Sequence, residues 1–344
     1  MPKRNPVSDA SPTTLREAIL YFADQDRAHD FVVKLRFPNG VACPRQGCGS
    51  ANVGYITTRR MWQCKDCKKQ SSIKVGTIFE DSPIGFDKWL PAMWMIGGDR
   101  NGISSCELAR AIGVTQKTAW FMLHRIRLAM KHKSIEAPLS GEVEADETFV
   151  GGKTRSTLAS NLGGRRFLAH GPATGKTTVF GMVQRGVKAE GTISQVRAMV
   201  VPDHKRSTLA PHIRANVLPG SVLYTDALRS YRGLGPEYKH AFIDHMVTYA
   251  EGRVHTNTIE NFWSCLKRAL HGTYIAPRAF HLEAYVDEQV FRFNGRDDSD
   301  ALRLAATLKG VDGRRVTYKE LTKSHRIWRL KPGRAKRSPL YNRP

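Results

Sequence analysis

The chain has 344 residues with 41% hydrophobic content, enough for a full-sized core and, by length, about two or three domains. Lys and Arg number 54 against 31 Asp and Glu, a formal net charge of +23, which favours a polyanionic partner whose condensed counterions are released on binding. There is no run of about 18 apolar residues and no apolar signal core behind Met1, so no membrane span is expected and the chain reads as cytoplasmic.

The first predicted element is a helix over 13–35, with Leu15, Leu20, Phe22 and Phe31 among charges and Thr13 or Thr14 as its cap. Pro38 and Gly40 end it. Residues 41–78 are Gly-rich and cysteine-bearing, with strand-like pieces at Val53–Ile56 and Met61–Gln63. Cys43 and Cys48 enclose four residues, Cys64 and Cys67 enclose two, and fifteen separate the pairs. In a cytosolic chain such cysteines read as metal ligands rather than disulfides. Two pairs on turn-rich knuckles (Pro44, Gly47, Gly49, Asp66) can present four thiolates tetrahedrally, which predicts a structural Zn²⁺ with no position left for water. Cys106 and Cys265 stand alone in helical patterns and read as small buried hydrophobes.

Helical periodicity covers 86–96 and 104–130. Inside the second stretch a short helix from Ser104 stops at Gly113, and another follows from Val114, opened by Thr115, Gln116, Lys117 and Thr118. Leu108, Ala109, Ile112, Val114, Ala119 and Leu123 supply the packing between them. The pattern predicts a helix-turn-helix whose second helix offers Thr115, Gln116 and Lys117 to bases or phosphates, with Arg125 and Arg127 as further basic contacts. A plain helical hairpin is the alternative.

Pro138 and Gly141 mark a boundary. From 142 the pattern alternates: Val143, Ala145 and Glu147 fall on one face, Glu142, Glu144 and Asp146 on the other, the period of a strand. Further strands are predicted at Thr178–Val183, Ile193–Val201 and Ser221–Thr225, with a Gly-rich basic insertion over 151–176. The segment Gly171-Pro-Ala-Thr-Gly-Lys-Thr177 has three residues between its glycines where a phosphate loop needs four, so nucleotide hydrolysis is rejected. Helices are predicted over 204–216, 257–271 and 278–293. Strands first and helices later point to an α/β core with a mixed sheet. Residues 301–344 hold 13 Lys or Arg against 2 Asp or Glu and read as a basic tail, in part helical and otherwise disordered.

Three acids stand out by context. Asp146 lies in a strand, Asp226 ends the apolar strand Val222-Leu-Tyr-Thr-Asp226, and Glu260 sits near the start of a helix. Carboxylates so placed can converge, and their hard oxygens suit Mg²⁺ or Mn²⁺. A pair of such ions about 3.5–4 Å apart serves phosphodiester cleavage. Lys267 lies two helical turns past Glu260, on the same face, where it can contact phosphate. Glu144 and Glu147 rival Asp146, and Glu251 rivals Glu260. His255 and Asn257 flank the helix start as substrate contacts or, for Asn257, as a helix cap.

The ordered stretches CPRQGCGS, WQCKDCKKQSSIKVGTIFEDS, WLPAMWMI, LARAIGVTQKTAWFMLHRIR, VEADETFVGGK, VFGMVQRG, YTDALRSY, HTNTIENFWSCLKRALHGTY and LEAYVDEQVFRFNGR span roughly residues 15–296. Together they resemble bacterial insertion-sequence transposases of the DDE type, the ISXO-like group with an N-terminal zinc ribbon. The resemblance implies an RNase H-like catalytic fold, with Asp146, Asp226 and Glu260 as the three catalytic acids and Lys267 as the lysine that follows. It implies binding to double-stranded DNA, at terminal inverted repeats and at a target, followed by metal-dependent cleavage and strand transfer. Joining two ends also implies a homo-oligomer in the DNA complex. The expected organisation is a helical segment (1–36), a zinc ribbon (37–80), a helix-turn-helix region (81–135), the catalytic domain (140–296) and a basic tail (297–344).

Overall fold

The computed structural model describes residues 12–322 apart from 46, 132–136, 152–175, 188, 190, 227–228, 232, 244–254 and 276. Most of the 151–176 insertion, Glu251 and residues 323–344 lie outside the described residues.

The chain opens with two helices, α1 (Leu15–Ala23) and α2 (Gln25–Arg36), where one is predicted. The break is a capping event. The Asp24 side chain accepts from the backbone N–H groups of Asp26 and Arg27, which satisfies the exposed donors that start α2. Thr14 and Glu17 form a capping box on α1. Ala18, Phe22, Ala28 and Val32 are buried; Leu15 and Leu20 stay exposed.

A small antiparallel sheet follows, in the order β1 (Val53–Ile56), β2 (Met61–Cys64), β3 (Gln70–Ser72). Strands of three or four residues are too short to stand alone. The Trp62 ring stacks on His29 of α2 at 5.5 Å, which ties this sheet to the first helices. Three helices complete the N-terminal half: α3 (Phe86–Gly98), α4 (Ser105–Ile112) and α5 (Gln116–Met130). Ser104 and Glu107 form a capping box on α4, Gly113 ends it at φ +63, and Thr115 caps α5. Trp89, Leu90, Met93 and Ile96 make α3 the buried centre of this half.

The second half is a five-stranded mixed sheet. Its strands are β4 (Glu142–Val150), β5 (Thr177–Gln184), β6 (Gln195–Val201), β7 (Val222–Asp226) and β8 (Lys239–Ile243), in the order β6-β5-β4-β7-β8. The pairs β4–β5 and β5–β6 are antiparallel; β4–β7 and β7–β8 are parallel. Both faces are covered. Val143, Ala145, Phe180 and Leu223 pack with Leu209 and Ile213 of α6 (Arg206–Asn216). On the other face Val179, Val183 and Val196 pack against α7 (Asn257–Arg268) and α8 (Leu282–Asn294). The predicted mixed α/β core is present. β8, a short edge strand, is not among the predicted elements.

The helical part expected of the C-terminal segment is present, and residues 297–322 pack onto the folded body rather than trailing from it. Helix α9 (Asp300–Lys309) buries Leu304 and Leu308, and with Val311 they join the core of α3. The Ile78 N–H donates to Val311 O, and Arg36 meets Asp312 at 2.6 Å. The segment's positive charge hid an apolar stripe at i, i+4 and i+7. A last short helix, α10 (Tyr318–Thr322), follows. No helix among the described residues is long and apolar enough to cross a membrane.

Candidate active site and metal centres

The alternation of β4 sorts its acids onto two faces. Glu144 and Asp146 point towards α7, and Glu147 points towards the α6 side. The parallel register pairs Glu144 with Tyr224, so Asp146 and Asp226 each lie two residues past a matched pair, at the same level of neighbouring strands. Above them lies α7. Its Ile259, Phe262, Trp263 and Leu266 are buried on the sheet at i, i+3, i+4 and i+7, each worth roughly 1.5–3 kcal/mol of burial. The same spacing leaves Glu260 and Lys267 exposed on the opposite stripe. The Trp263 indole N–H donates to Asp146 Oδ2 at 2.9 Å. This approach requires Gly181, the partner of Asp146 on β5: a Cβ there would fall 2.6 Å from the Trp263 ring and 2.9 Å from Ile259.

The structure brings Asp146, Asp226 and Glu260 close enough for their charges to interact. Burial, opposed by the Trp263 hydrogen bond and assisted by the negative charge of Asp226 and Glu260, pushes the Asp146 carboxyl up to about 6. Burial and the charges of Asp146 and Asp226 likewise push Glu147 up to about 7, against the hydrogen bond from Tyr231. Glu147 accepts that bond from the Tyr231 hydroxyl at 2.5 Å, on the far side of the strand from α7. Glu144 is fully buried and occupied: Arg185 Nε donates to its Oε1 at 2.6 Å, and the backbone N–H of Ile259 donates to its Oε2 at 2.8 Å. It therefore supplies to α7 the N-terminal acceptor that the helix's own cap residue, Thr256, does not.

Arg185 also donates to the His255 carbonyl at 2.7 Å, meets His255 Nδ1 at 2.8 Å and lies over the Tyr224 ring. His255 thus sits inside the network that seats α7. Asn257 is the first residue of α7, exposed, and not its cap. The sequence reading passed over Trp263, Gly181, Arg185 and Tyr231. Only Trp263, three residues past Glu260, carried a local signal.

The four cysteines form the second centre. Cys43 Sγ and Cys67 Sγ are 3.8 Å apart, and Cys48 Sγ and Cys64 Sγ are 3.7 Å apart. A tetrahedral zinc with Zn–S bonds of about 2.3 Å has edges of about 3.8 Å, so the residues fit the ion. Gly47 and Gly49 adopt the left-handed backbone at the first knuckle, as does Lys68 at the second. A backbone N–H from Lys69 lowers the Cys67 thiol, whereas Cys43 and Cys48, crowded by burial and by the other thiols, are raised, as expected of four sulfurs that share one site. Among the described residues this is the one group of three or more Cys, His, Asp or Glu side chains whose ligand atoms all lie within 4.8 Å of one another.

At the α4–α5 pair, Thr115, Gln116 and Lys117 are exposed, and Gln116 donates to Ser105 Oγ at 2.8 Å. Arg125 and Arg127 are not on that surface. Arg125 donates to the Glu80 and Val316 carbonyls, and Arg127 is 1% exposed with its Nε on Glu288 at 2.6 Å. The expectation that these two arginines touch nucleic acid is withdrawn, because the packing of α8 and of the C-terminal segment consumes them. Cys106 is exposed and Cys265 half-buried, so neither is the buried hydrophobe expected.

Comparison with known proteins places these features. The family described as the ISXO2-like transposase domain matches residues 138–294, and the transposase zinc-ribbon domain matches 23–70. An uncharacterized transposase-like protein of Haemophilus influenzae is 39% identical over 104 residues, 30% of this chain and 84% of that protein. An uncharacterized protein in the transposable element ISH50 of Halobacterium salinarum is 27% identical over 306 residues, 80% of this chain and 95% of its own length.

Proposed function

Because the chain belongs to the ISXO2-like transposase family, we propose that it binds the terminal inverted repeats of a bacterial insertion sequence, cuts one strand at each end and joins it to target DNA. One observation carries this reading. Two aspartates at matched levels of β4 and β7, and a glutamate on the helix laid across them, lie within electrostatic reach of one another.

Asp146, Asp226 and Glu260 would hold Mg²⁺ or Mn²⁺, whose chemistry when bound is to polarise the scissile phosphate and activate the attacking oxygen. The chain's own residues do the rest. Trp263 fixes the Asp146 carboxylate. The Glu144–Arg185–His255 network seats the helix that carries Glu260. Lys267, on the same stripe, meets substrate phosphate. In cleavage, a water oxygen bonds to phosphorus and the 3′-oxygen leaves, taking a proton to become a 3′-hydroxyl. In strand transfer, that 3′-oxygen bonds to a target phosphorus and the target's 3′-oxygen leaves. No net bond is lost in the second step.

The sheet and its flanking helices then act as an RNase H-like catalytic domain. The α4–α5 pair acts as a helix-turn-helix that offers Thr115, Gln116 and Lys117 to DNA. The cysteine sheet acts as a zinc ribbon with a structural ion. Two ends need two such sites, so the working complex is a homo-oligomer on DNA in the cytoplasm.

The test is Asp226→Asn in purified protein with a duplex of the element's end. Metal-dependent nicking should disappear while binding to the end persists. Undiminished nicking would refute the assignment, and so would binding with no preference for the element's ends.

A further inference from the structure

The segment that follows α9 is fastened to α5 at three levels. At the C-terminal end of α5 the Arg314 guanidinium donates to the carbonyls of Leu128 and Ala129 and, at 3.3 Å, to that of Lys131, where a cation offsets the helix dipole and satisfies unpaired acceptors. Half-way along, Arg125 Nε donates to Val316 O at 3.3 Å. Towards the N-terminal end, the Tyr318 ring stands edge-on to Trp120 at 6.1 Å and to Phe121 at 5.9 Å, and Lys117 Nζ lies 4.6 Å from its centroid. The segment thus runs antiparallel to α5 and delivers Tyr318 to the turn that holds Gln116 and Lys117. Its own capping box fixes that end point: the Glu320 N–H donates to Thr317 Oγ1, and the Thr317 N–H to Glu320 Oε2 at 2.7 Å.

Neither partner of the Lys117–Tyr318 contact is used up by it. Lys117 is exposed and makes no hydrogen bond or ion pair among the described residues, so its three N–H donors remain for an acceptor. Tyr318 is 39% exposed, and its hydroxyl likewise has no hydrogen-bond partner among the described residues. A cation over an exposed tyrosine face is held directionally but weakly. The ring can choose among the rotamers of a flexible four-carbon stem without keeping the ammonium from a phosphate.

The first turn of the second helix is where a helix-turn-helix meets base edges and the phosphates beside them. Tyrosine hydroxyls are among the groups that make such phosphate contacts. The chain then continues from α10 into residues 323–344, with eight Lys or Arg and no acid, so the positive charge of the C-terminus is attached at this same edge of the α4–α5 pair.

We propose that Tyr318 belongs to the DNA-reading surface: its ring holds Lys117 at the start of α5, and its hydroxyl donates to a phosphate of the bound element end. The inference rests on the transposase reading and adds to it a contact from outside the helix pair, so that the C-terminal segment and α4–α5 bind DNA as one unit.

The experiment measures binding of full-length protein, by anisotropy over a salt series, to a duplex of the element end and to an unrelated duplex of equal length. Tyr318→Phe keeps every ring contact and removes only the hydroxyl. It should bind both duplexes roughly 3–10-fold more weakly, the ordinary worth of one hydrogen bond, with the salt slope unchanged. Tyr318→Leu also removes the face under Lys117. In that background Lys117→Met should cost at least about 2-fold less affinity than it does in the wild type, because part of the lysine's contribution depends on the ring. The Phe variant stays informative if the Leu variant melts early. Wild-type affinity in Tyr318→Phe, or independent costs for Lys117→Met and Tyr318→Leu, overturns the proposal and leaves Tyr318 a packing residue. Tighter binding by Tyr318→Leu overturns it too, by marking the ring as a cover over α5. If the end is preferred and nicked with metal while these variants behave as wild type, this inference alone fails. If the wild type shows no preference for the end, it falls together with the transposase reading.

Discussion

Asp146 has one oxygen on Trp263 and two other acids within reach of its charge. The indole N–H selects one orientation of the carboxylate and favours its ionised form, against burial and like charge. Trp263→Phe removes this donor and keeps the ring that packs on Gly181. The variant should fold, and its nicking should need more Mg²⁺ or Mn²⁺, shifted by roughly 10–100-fold as is usual when a group behind a metal ligand is lost. A metal titration of nicking rate reads this directly; an unshifted curve would show that Trp263 only packs. Gly181 is tied to the same atom pair. It is a glycine because Trp263 must come down onto the sheet to reach Asp146.

At the level of elements, α7 is placed by a carboxylate that belongs to another element. Glu144 of β4 accepts the Ile259 N–H and an Arg185 hydrogen bond in full burial. Glu144→Ala removes the buried acceptor shared by Arg185 Nε and the Ile259 N–H, while Arg185 keeps Glu142 and the His255 carbonyl, and should lower stability by about 2–3 kcal/mol. Chemical denaturation measures the loss, and a change under about 1 kcal/mol would mean that α7 is held by its apolar stripe alone. This pairing explains what was legible beforehand. The period-two run of β4 and the amphipathic run of α7 placed Asp146 and Glu260 on the strand and helix where they lie, and the cysteine spacing picked out the four residues whose sulfurs cluster. Which of Glu144, Asp146 and Glu147 faces open space was not legible, because the answer lies with Arg185, 41 residues from Glu144, and with Tyr231, 84 from Glu147. The arginines of α5 misled for the same reason: the partner of Arg127 is 161 residues away. Local periodicity reports burial, whereas the use of a charged side chain depends on what the fold brings to it.

Across the whole molecule, the two halves are joined at a buried charge cluster, with Glu288 of α8 between Arg127 of α5 and Arg292. Burial raises the Glu288 carboxyl, but Arg292, Arg127 and Tyr274 outweigh it and bring it below its ordinary 4.5. An acid depressed on folding contributes stability that is complete above its unfolded value and is lost as pH falls through the folded one. The wild type should therefore exceed Glu288→Gln by about 3–5 kcal/mol at neutral pH, with the gap closing below about pH 4.5; parallel stability curves would remove the clamp. The proposed function gives the remaining positive charge DNA phosphate as its partner. Residues 323–344 contain eight Lys or Arg and no Asp or Glu. Each phosphate neutralised adds about 0.9 to the slope of log affinity against log salt, so deleting this segment should reduce the slope by up to about 7. Phosphate contacts carry no base information, so element ends and unrelated duplexes should lose affinity by the same factor. If Gln116 reads a base edge as proposed, Gln116→Ala should do the reverse, narrowing the preference for the ends with the slope unchanged, because no charge is removed. Anisotropy titrations over a salt series separate the two effects. A truncated chain with an unaltered slope would assign DNA attraction to the folded body, and a truncation that changed the preference for the ends would give residues 323–344 a share in reading the sequence.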